Sequence, residues 1–255
     1  MSRKKCLNCG ETVLEKYCSH CGQKTDTKRL NWHHLIHDIP HSIFHLEKGF
    51  FLTLKMMIIN PGLVIREYLD GKRAKYFRPL TYLFILGTIA GLIYLNTPIY
   101  LEMAKNAESA EMAKVIQDLV GKYYNIVSVV LIPFYSFSVW LFYKRERNFV
   151  EIVTAHFLIM GTVSVLALLN LLYNISTDKG LIMGLGFMST IASLAYYVYV
   201  YSTAFVSRKP TARLLIGITL VILNNLITIV IIILVAIIYV LNFTNRENVN
   251  IDFSL

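Results

Sequence analysis

The chain has 255 residues, of which 55% are hydrophobic and 16% are charged, and its formal net charge is +9. Soluble domains carry about 25% charged residues, so the composition argues against a soluble globular protein and favours a membrane protein. A basic chain can also bind nucleic acid, but here the charge is divided unevenly between the polar segments. In the topology that these segments predict, 20 of the 25 Lys and Arg residues lie on one side of the membrane. Membrane orientation explains this asymmetry, so we expect no nucleic-acid partner.

All four cysteines lie near the N-terminus, at Cys6, Cys9, Cys18 and Cys21. They form two C-x-x-C turns, each followed by a glycine that can adopt a left-handed backbone conformation. Two such turns supply four thiolates, which is the ligand set of structural zinc. Two disulfides are the alternative, and a reducing cytosol disfavours them. We expect a zinc-ribbon-like module over residues 1–25 that holds structural zinc and depends on it for folding.

Residues 26–78 are predicted to form a polar linker followed by interfacial amphipathic helices. A row of histidines with a spacing of four residues would line one side of a helix, at His33, His37, His41 and His45. This row can bind a transition metal or sense pH; the alternative is a polar side that faces lipid headgroups. From Ile43 the apolar residues follow helical spacing, but the segment is short and charged. We therefore expect it to lie in the membrane interface rather than to span the bilayer.

Asn60-Pro61-Gly62 predicts a turn, and a short helix over Leu63–Leu69 should follow it and end at Asp70-Gly71. Four basic residues come next, interleaved with aromatic residues, and we call them the basic collar: Lys72, Arg73, Lys75 and Arg78. Cationic and aromatic side chains together are typical of the headgroup layer, so we predict that the collar contacts lipid headgroups. The alternative is that these residues only set the orientation of the first span.

Five apolar spans are predicted between residues 79 and 241, at 79–96, 123–143, 152–173, 181–206 and 214–241. Basic loops alternate with neutral or acidic loops. This pattern predicts a cytoplasmic N-terminus and a short extracytoplasmic tail over residues 242–255. The N-terminus has no signal-peptide pattern, so the first span should also serve as the targeting signal. The predicted fold class is an all-α integral membrane protein with about five transmembrane helices.

Charged residues are absent from the middle of every predicted span. The polar candidates within the spans are His156, Asn170, Asn224 and Asn225, which we predict as a possible polar intramembrane site. Transporters that are coupled to ions usually keep an ionisable group near the midplane. Amide side chains in lipid more often bond a neighbouring helix than a substrate, which is the alternative.

The first 85 residues resemble DUF3667, a bacterial membrane family of unknown function that is common in Bacteroidetes. The resemblance rests on these residues and segments: Cys6–Gly10, Tyr17–Gln23, Glu47–Phe50, Thr53, Pro61-Gly62, Arg66–Tyr68, Gly71–Arg73, Tyr76 and Pro79. It implies a zinc-ribbon-like start, a bacterial source and a location in the inner (cytoplasmic) membrane. It supplies no catalytic residues.

Three functions fit the sequence. The first is a non-enzymatic membrane protein that presents a cytosolic zinc ribbon to a protein partner or for regulation. The second is a transporter or channel for a small molecule, an ion or a lipid. The third is a lipid-modifying membrane enzyme whose metal is held by the histidine row. Against an enzyme, we find no Ser-His-Asp set, phosphate loop or H-E-x-x-H motif. We expect membrane lipids as partners in every case.

Overall fold

The structure of the protein is a computed structural model that describes residues 4–32, 49–96, 114, 117, 121–166, 168, 179–205 and 209–251. Near the N-terminus, two short antiparallel strands pair: β1 (Lys4–Lys5) and β2 (Thr12–Val13). The described residues then form seven helices: α1 (Gly49–Ile59), α2 (Pro61–Leu69), α3 (Pro79–Leu95), α4 (Tyr124–Tyr143), α5 (Phe149–Ser164), α6 (Lys179–Ala204) and α7 (Pro210–Ile251). The fold is therefore mostly helical, as predicted, with a small cysteine-containing module at its start.

A helix occupies the position of each of the five predicted spans. Helices α3 and α4 agree with the prediction to within one residue at each end. Helix α5 begins three residues earlier than predicted, because Asn148 caps it and Glu151 completes a capping box. Helix α7 extends in both directions, from Pro210 at its first turn to Ile251.

Not all of these helices meet the length and composition of a membrane span. Among the described residues, two helical segments do so: Tyr124–Tyr143 and Pro210–Leu234. Helices α3 and α5 are apolar but shorter, at 17 and 16 residues. A span needs about 20 residues for a hydrocarbon core of roughly 30 Å. The coarse prediction of apolar helices is confirmed, while the count of five transmembrane helices stays a prediction.

Helix α5 is at the centre of the helical domain. It packs against α3 and α4 and also contacts α1, α2 and α6. Of its 16 residues, 14 are buried, including the polar Glu151 and His156. Gly161 permits a close approach to α3, because a Cβ there would lie 2.7 Å from the Tyr82 ring. The sequence alone would place an apolar helix in lipid on most sides; here neighbouring helices cover it.

Helices α1 and α2 pack under one end of the bundle. Asn60 caps α2 and Pro61 begins it, so the helix starts two residues before the predicted Leu63, and Gly71 follows its end with φ +103°. The buried side of α2 contributes Val64 and Ile65 to the main core. Gly62 lies against α6 so closely that a Cβ would be 2.4 Å from the Thr203 carbonyl oxygen. The α1–α2 pair is thus part of the folded domain and also exposes apolar residues, among them Phe51, Ile58 and Ile59.

Candidate metal centre and buried polar network

The four cysteines form one compact cluster. One ligand atom from each of Cys6, Cys9, Cys18 and Cys21 lies within 4.8 Å of the other three. The Sγ atoms of Cys6 and Cys21 are 3.6 Å apart, and those of Cys9 and Cys18 are 3.5 Å apart. A disulfide requires about 2.05 Å, so all four are free thiols. Four sulfurs at about 2.3 Å from a tetrahedral ion are about 3.8 Å apart, so the donor set fits a tetrahedral metal ion.

The two halves of the cluster have the same backbone geometry. Cys6 N–H donates to Glu11 O and Cys18 N–H donates to Gln23 O, both at 2.8 Å. In each turn the glycine that follows the second cysteine donates back to the first cysteine, and its φ is +80° at Gly10 and +75° at Gly22. L side chains rarely adopt this φ, which explains why both C-x-x-C turns are followed by glycine.

The cysteine module docks onto the helical domain through Gln23. This side chain is buried and makes three hydrogen bonds across the connection that follows α2. Its Nε2 donates to Gly71 O at 2.9 Å, and its Oε1 accepts from Arg73 N and Ala74 N at 3.0 and 3.1 Å. The backbone carbonyl oxygen of Gln23 also accepts from Cys18 N, so one residue joins the Cys18–Cys21 turn, which we call the metal loop for its candidate ligands, to the basic collar.

The segment after the module is anchored as well. Arg29 forms a two-pronged ion pair with Glu151, from Nε to Oε1 at 2.7 Å and from Nη2 to Oε2 at 3.0 Å. Asn148 Nδ2 donates to Leu30 O at 3.1 Å, and the Trp32 ring lies 6.1 Å from that of Phe149. The predicted polar linker therefore runs along the start of α5 and is fixed there.

Glu67 on α2 organises much of the basic collar. Lys72 and Lys75 each donate to its carboxylate at 2.9 Å, and Tyr76 donates to it as well. Burial raises the pKa of Glu67, but the hydrogen bonds from Tyr76, Lys75 and Lys72 outweigh it and hold the pKa at about 2. Both lysines thus already have an acidic partner within the chain.

The other two collar residues differ in their surroundings. Arg73 donates to Lys28 O at 2.8 Å, and its guanidinium lies 6.0 Å from the centre of the Tyr68 ring. Arg78 is exposed at the start of α3. Contact of the collar with lipid headgroups stays a prediction, and Arg78 is the collar residue most accessible for it.

Of the predicted intramembrane residues, the structure brings His156 and Asn224 together. The imidazole of His156 is buried, with Nδ1 3.0 Å from Ile152 O and from Ser136 Oγ. Its Nε2 is 3.1 Å from the Tyr201 hydroxyl, which accepts a hydrogen bond from Asn224 Nδ2 at 3.1 Å. Asn224 Oδ1 accepts from Ser138 Oγ at 2.6 Å, which joins α4, α5, α6 and α7 in one polar network.

Asn225 does not join this network. Its Nδ2 donates to Val221 O within α7, and the side chain lies at the edge of a cavity between helices. Asn170 and the histidines at 33, 37, 41 and 45 lie outside the residues that the structure describes. Their predicted roles therefore stay predictions.

Several residues that build these contacts were not singled out from the sequence. Asn148-x-x-Glu151 has the spacing of a capping box, a signal that would have placed the start of α5. Arg29 carries no such signal, because its partner lies 122 positions away in the chain. Gln23 belongs to the segment Tyr17–Gln23 that carries the family resemblance, but no contact was predicted for it, because its partners lie about 50 positions away. Tyr201 is one of several tyrosines near the end of α6 and was likewise not singled out, yet its hydroxyl connects His156 with Asn224.

Comparison with known proteins gives one match. Residues 47–91 match the model of DUF3667, described as a protein of unknown function. The matched region contains α1, α2, the basic collar and most of α3, which is the part of the chain that receives Gln23. No curated protein and no solved structure matches the chain. The resemblance to the DUF3667 family, inferred from the N-terminal residues, is therefore confirmed over residues 47–91.

Proposed function

We propose that this protein is a non-enzymatic integral membrane protein of the bacterial inner membrane that presents a structural zinc ribbon at its cytosolic face. The ribbon would serve interaction with a protein partner or regulation. The observation that carries this proposal is the docking of the cysteine cluster onto the helical domain through Gln23, which is 5% exposed. A docked module has a defined orientation, so its remaining surface can be recognised as a fixed shape.

Zinc is the metal that the donor set supports best. Four thiolates in a closed tetrahedral arrangement leave no open position for a substrate, which is typical of structural zinc. The module has two strands of two residues each and a three-member core of Cys6, Val13 and Cys18. So small a core stabilises little structure without a metal, so metal binding and folding should be linked.

The proposed topology places the ribbon and the basic loops on one side. Several contacts between distant segments support this arrangement, because they gather the same ends of the helices. Arg147 after α4 binds Asp70 after α2 at 2.7 Å. Tyr199 near the end of α6 donates to Ile59 O at 2.9 Å, and Arg66 on α2 donates to Thr203 O. With Arg29 bound at the start of α5, these contacts gather the described parts of four predicted cytosolic segments, which supports placing them on one side.

The surface offered to a partner lies on the exposed side of the module. Leu14 and Tyr17 are 71% and 59% exposed and line a groove of about 690 Å³. Three lysines also line this groove and outnumber its two acidic residues, Glu15 and Asp26: Lys4, Lys16 and Lys24. Exposed apolar side chains with basic neighbours favour a protein segment that brings an apolar anchor and acidic residues.

The test compares proteins that copurify with the full-length chain from gently solubilised membranes. We expect a specific cytosolic protein with the wild type, and its loss when Leu14 and Tyr17 are both changed to serine. The matched control is Lys28→Gln, since Lys28 is equally exposed but lies outside the groove. Identical protein sets from all three samples would contradict the partner role, and a bound small molecule in their place would favour a transporter.

A further inference from the structure

We propose that the cavity between α3, α4, α6 and α7 binds a small primary ammonium compound with a short alkyl body. The cavity holds about 240 Å³ and has a polar lining, with hydroxyl or amide groups on ten of its twelve lining residues. Asn224 lies ten residues after Leu214, where the predicted span begins, or about 15 Å along the helix axis, so the cavity would open near the middle of a bilayer. This inference is independent of the ribbon, and neither test decides the other.

The directions of the hydrogen bonds show which groups the cavity offers. A carbonyl oxygen only accepts, so the Thr190 hydroxyl must donate to Gly186 O at 3.0 Å and that of Ser193 to Ser189 O at 2.8 Å. Their lone pairs remain for an occupant. Asn225 uses Nδ2 on its own helix and keeps Oδ1 as an acceptor at the cavity edge.

The same reasoning assigns donor and acceptor roles to the hydroxyls of Tyr135 and Tyr201. The Thr228 hydroxyl donates to Asn224 O at 2.9 Å, so the Tyr135 hydroxyl, 2.5 Å from Thr228 Oγ1, is the donor of that pair. In the neutral imidazole of His156, Nδ1 carries the proton because it faces Ile152 O. Nε2 then accepts, and Tyr201 donates to it. The Tyr135 oxygen keeps its lone pairs for an occupant, and donation makes it a stronger acceptor, while the Tyr201 oxygen already accepts from Asn224 Nδ2.

The lining therefore consists largely of acceptors whose protons are already committed within the protein. The hydroxyls of Ser189 and Tyr197 can rotate to accept as well. Among the described lining residues none is charged. The lining keeps more free lone pairs than free protons, so a hydrogen-bond donor is the occupant that it satisfies best, whereas a carboxylate or phosphate would meet few donors.

Aromatic rings favour a positive charge on that donor. Four tyrosines line the cavity. The faces of aromatic rings attract cations, and the attraction grows when water is excluded. Leu194 and Val221 supply an apolar part of the wall for an alkyl body. A primary ammonium group, with three N–H donors on one atom, matches both features.

The experiment measures binding to the purified full-length protein in nanodiscs of neutral lipid, with empty nanodiscs as the blank. The probes are butylammonium, 1-butanol, which has a similar body but no charge, and tetramethylammonium, which has charge but no N–H donor. We expect saturable binding of butylammonium that is about tenfold or more tighter than that of either comparator, because hydrogen bonds to charged groups are the stronger class. Equal affinity for 1-butanol, or no saturable binding, would overturn the proposal.

Variants locate the site. Thr190→Val and Asn225→Leu each remove one acceptor, and each should weaken butylammonium binding about tenfold. Thr219→Val is the matched control: this threonine donates to Leu215 O on α7 and does not line the cavity. Unchanged binding in both cavity variants would also overturn the proposal. If a variant fails to fold, the comparison of the three probes on the wild-type protein still tests the proposal.

Discussion

The guanidinium of Arg29 and the carboxylate of Glu151 are 122 positions apart in the chain and form a two-pronged ion pair with distances of 2.7 and 3.0 Å. The Glu151 side chain is 1% exposed and that of Arg29 is 62% exposed. Glu151 also accepts from Asn148 N at the start of α5. One carboxylate thus caps the central helix and holds the segment that leads from the cysteine module.

Removing this ion pair should destabilise the protein. Arg29→Ala leaves the buried carboxylate without its cationic partner. We expect the free energy of unfolding to fall by about 1–2 kcal/mol, which is less than for a fully buried pair because water screens the exposed arginine. Arg29→Lys should recover only part of the loss, since lysine has no fork to match the carboxylate. The measurement is the free energy of unfolding in detergent. The control is Lys28→Ala, whose pair with Asp26 is exposed at 3.7 Å and should contribute little. Equal stability of all variants would show that the pair does not hold the segment.

Glu67 should make stability depend on pH in the acidic range. Its pKa in the folded protein is about 2, below the ordinary 4.5, so the ionised form is stabilised by folding. The contribution is fully present above pH 4.5 and is lost as the pH falls towards 2. We expect the melting temperature of the wild type to fall over this range more steeply than that of Glu67→Gln. Parallel curves for the two proteins would contradict the role of Glu67.

The metal loop and the basic collar should be coupled through Gln23. Removal of the metal by a chelator, or Cys18→Ser, should speed hydrogen exchange at the Arg73 and Ala74 amides, which donate to Gln23 Oε1. Gln23→Ala should do the same with the metal still bound, by about tenfold. Lys24→Ala is the control, because its side chain is exposed. Metal analysis of the wild type should find about one zinc per chain. If removal of the metal left hydrogen exchange at the Arg73 and Ala74 amides unchanged, the metal loop and the collar would not be coupled.

Alanine substitutions at two glycines should have opposite effects, because Gly62 lies where α2 packs closely on α6 and Gly184 has no close neighbour. Gly62→Ala would place a Cβ 2.4 Å from Thr203 O, and the required backbone shift should cost about 1–3 kcal/mol. Gly184→Ala meets nothing within 4 Å and should stabilise α6 by up to about 1 kcal/mol. Thermal unfolding of the two variants measures both. A tolerated alanine at position 62 would mean that α2 does not lie directly on α6.

The proposed topology can be tested with reporter fusions. Fusions after Lys144 and Lys209 should report the cytosol, because basic loops stay on that side. Fusions after Ala110, Lys179 and Leu255 should report the opposite side. A cytosolic C-terminus would rule out five spans.

The sequence by itself determined the local features of this protein. The spacing of Cys6, Cys9, Cys18 and Cys21 predicted the cysteine cluster, because each C-x-x-C-G turn is closed by its own backbone. Apolar runs and the signals at Pro61 and Pro79 placed most helix ends within a few residues, since caps and prolines act within one turn. The family resemblance was likewise carried by short local motifs.

Only the tertiary structure decided which of these elements meet. The docking of Gln23 on the collar, the pair of Arg29 with Glu151 and the network from His156 to Asn224 each join segments far apart in the chain. A single sequence shows which side chains need a partner when buried, but not which partner lies within 3 Å. That choice depends on how the helices pack, and helix packing is set by the shape of whole side-chain surfaces rather than by any local pattern.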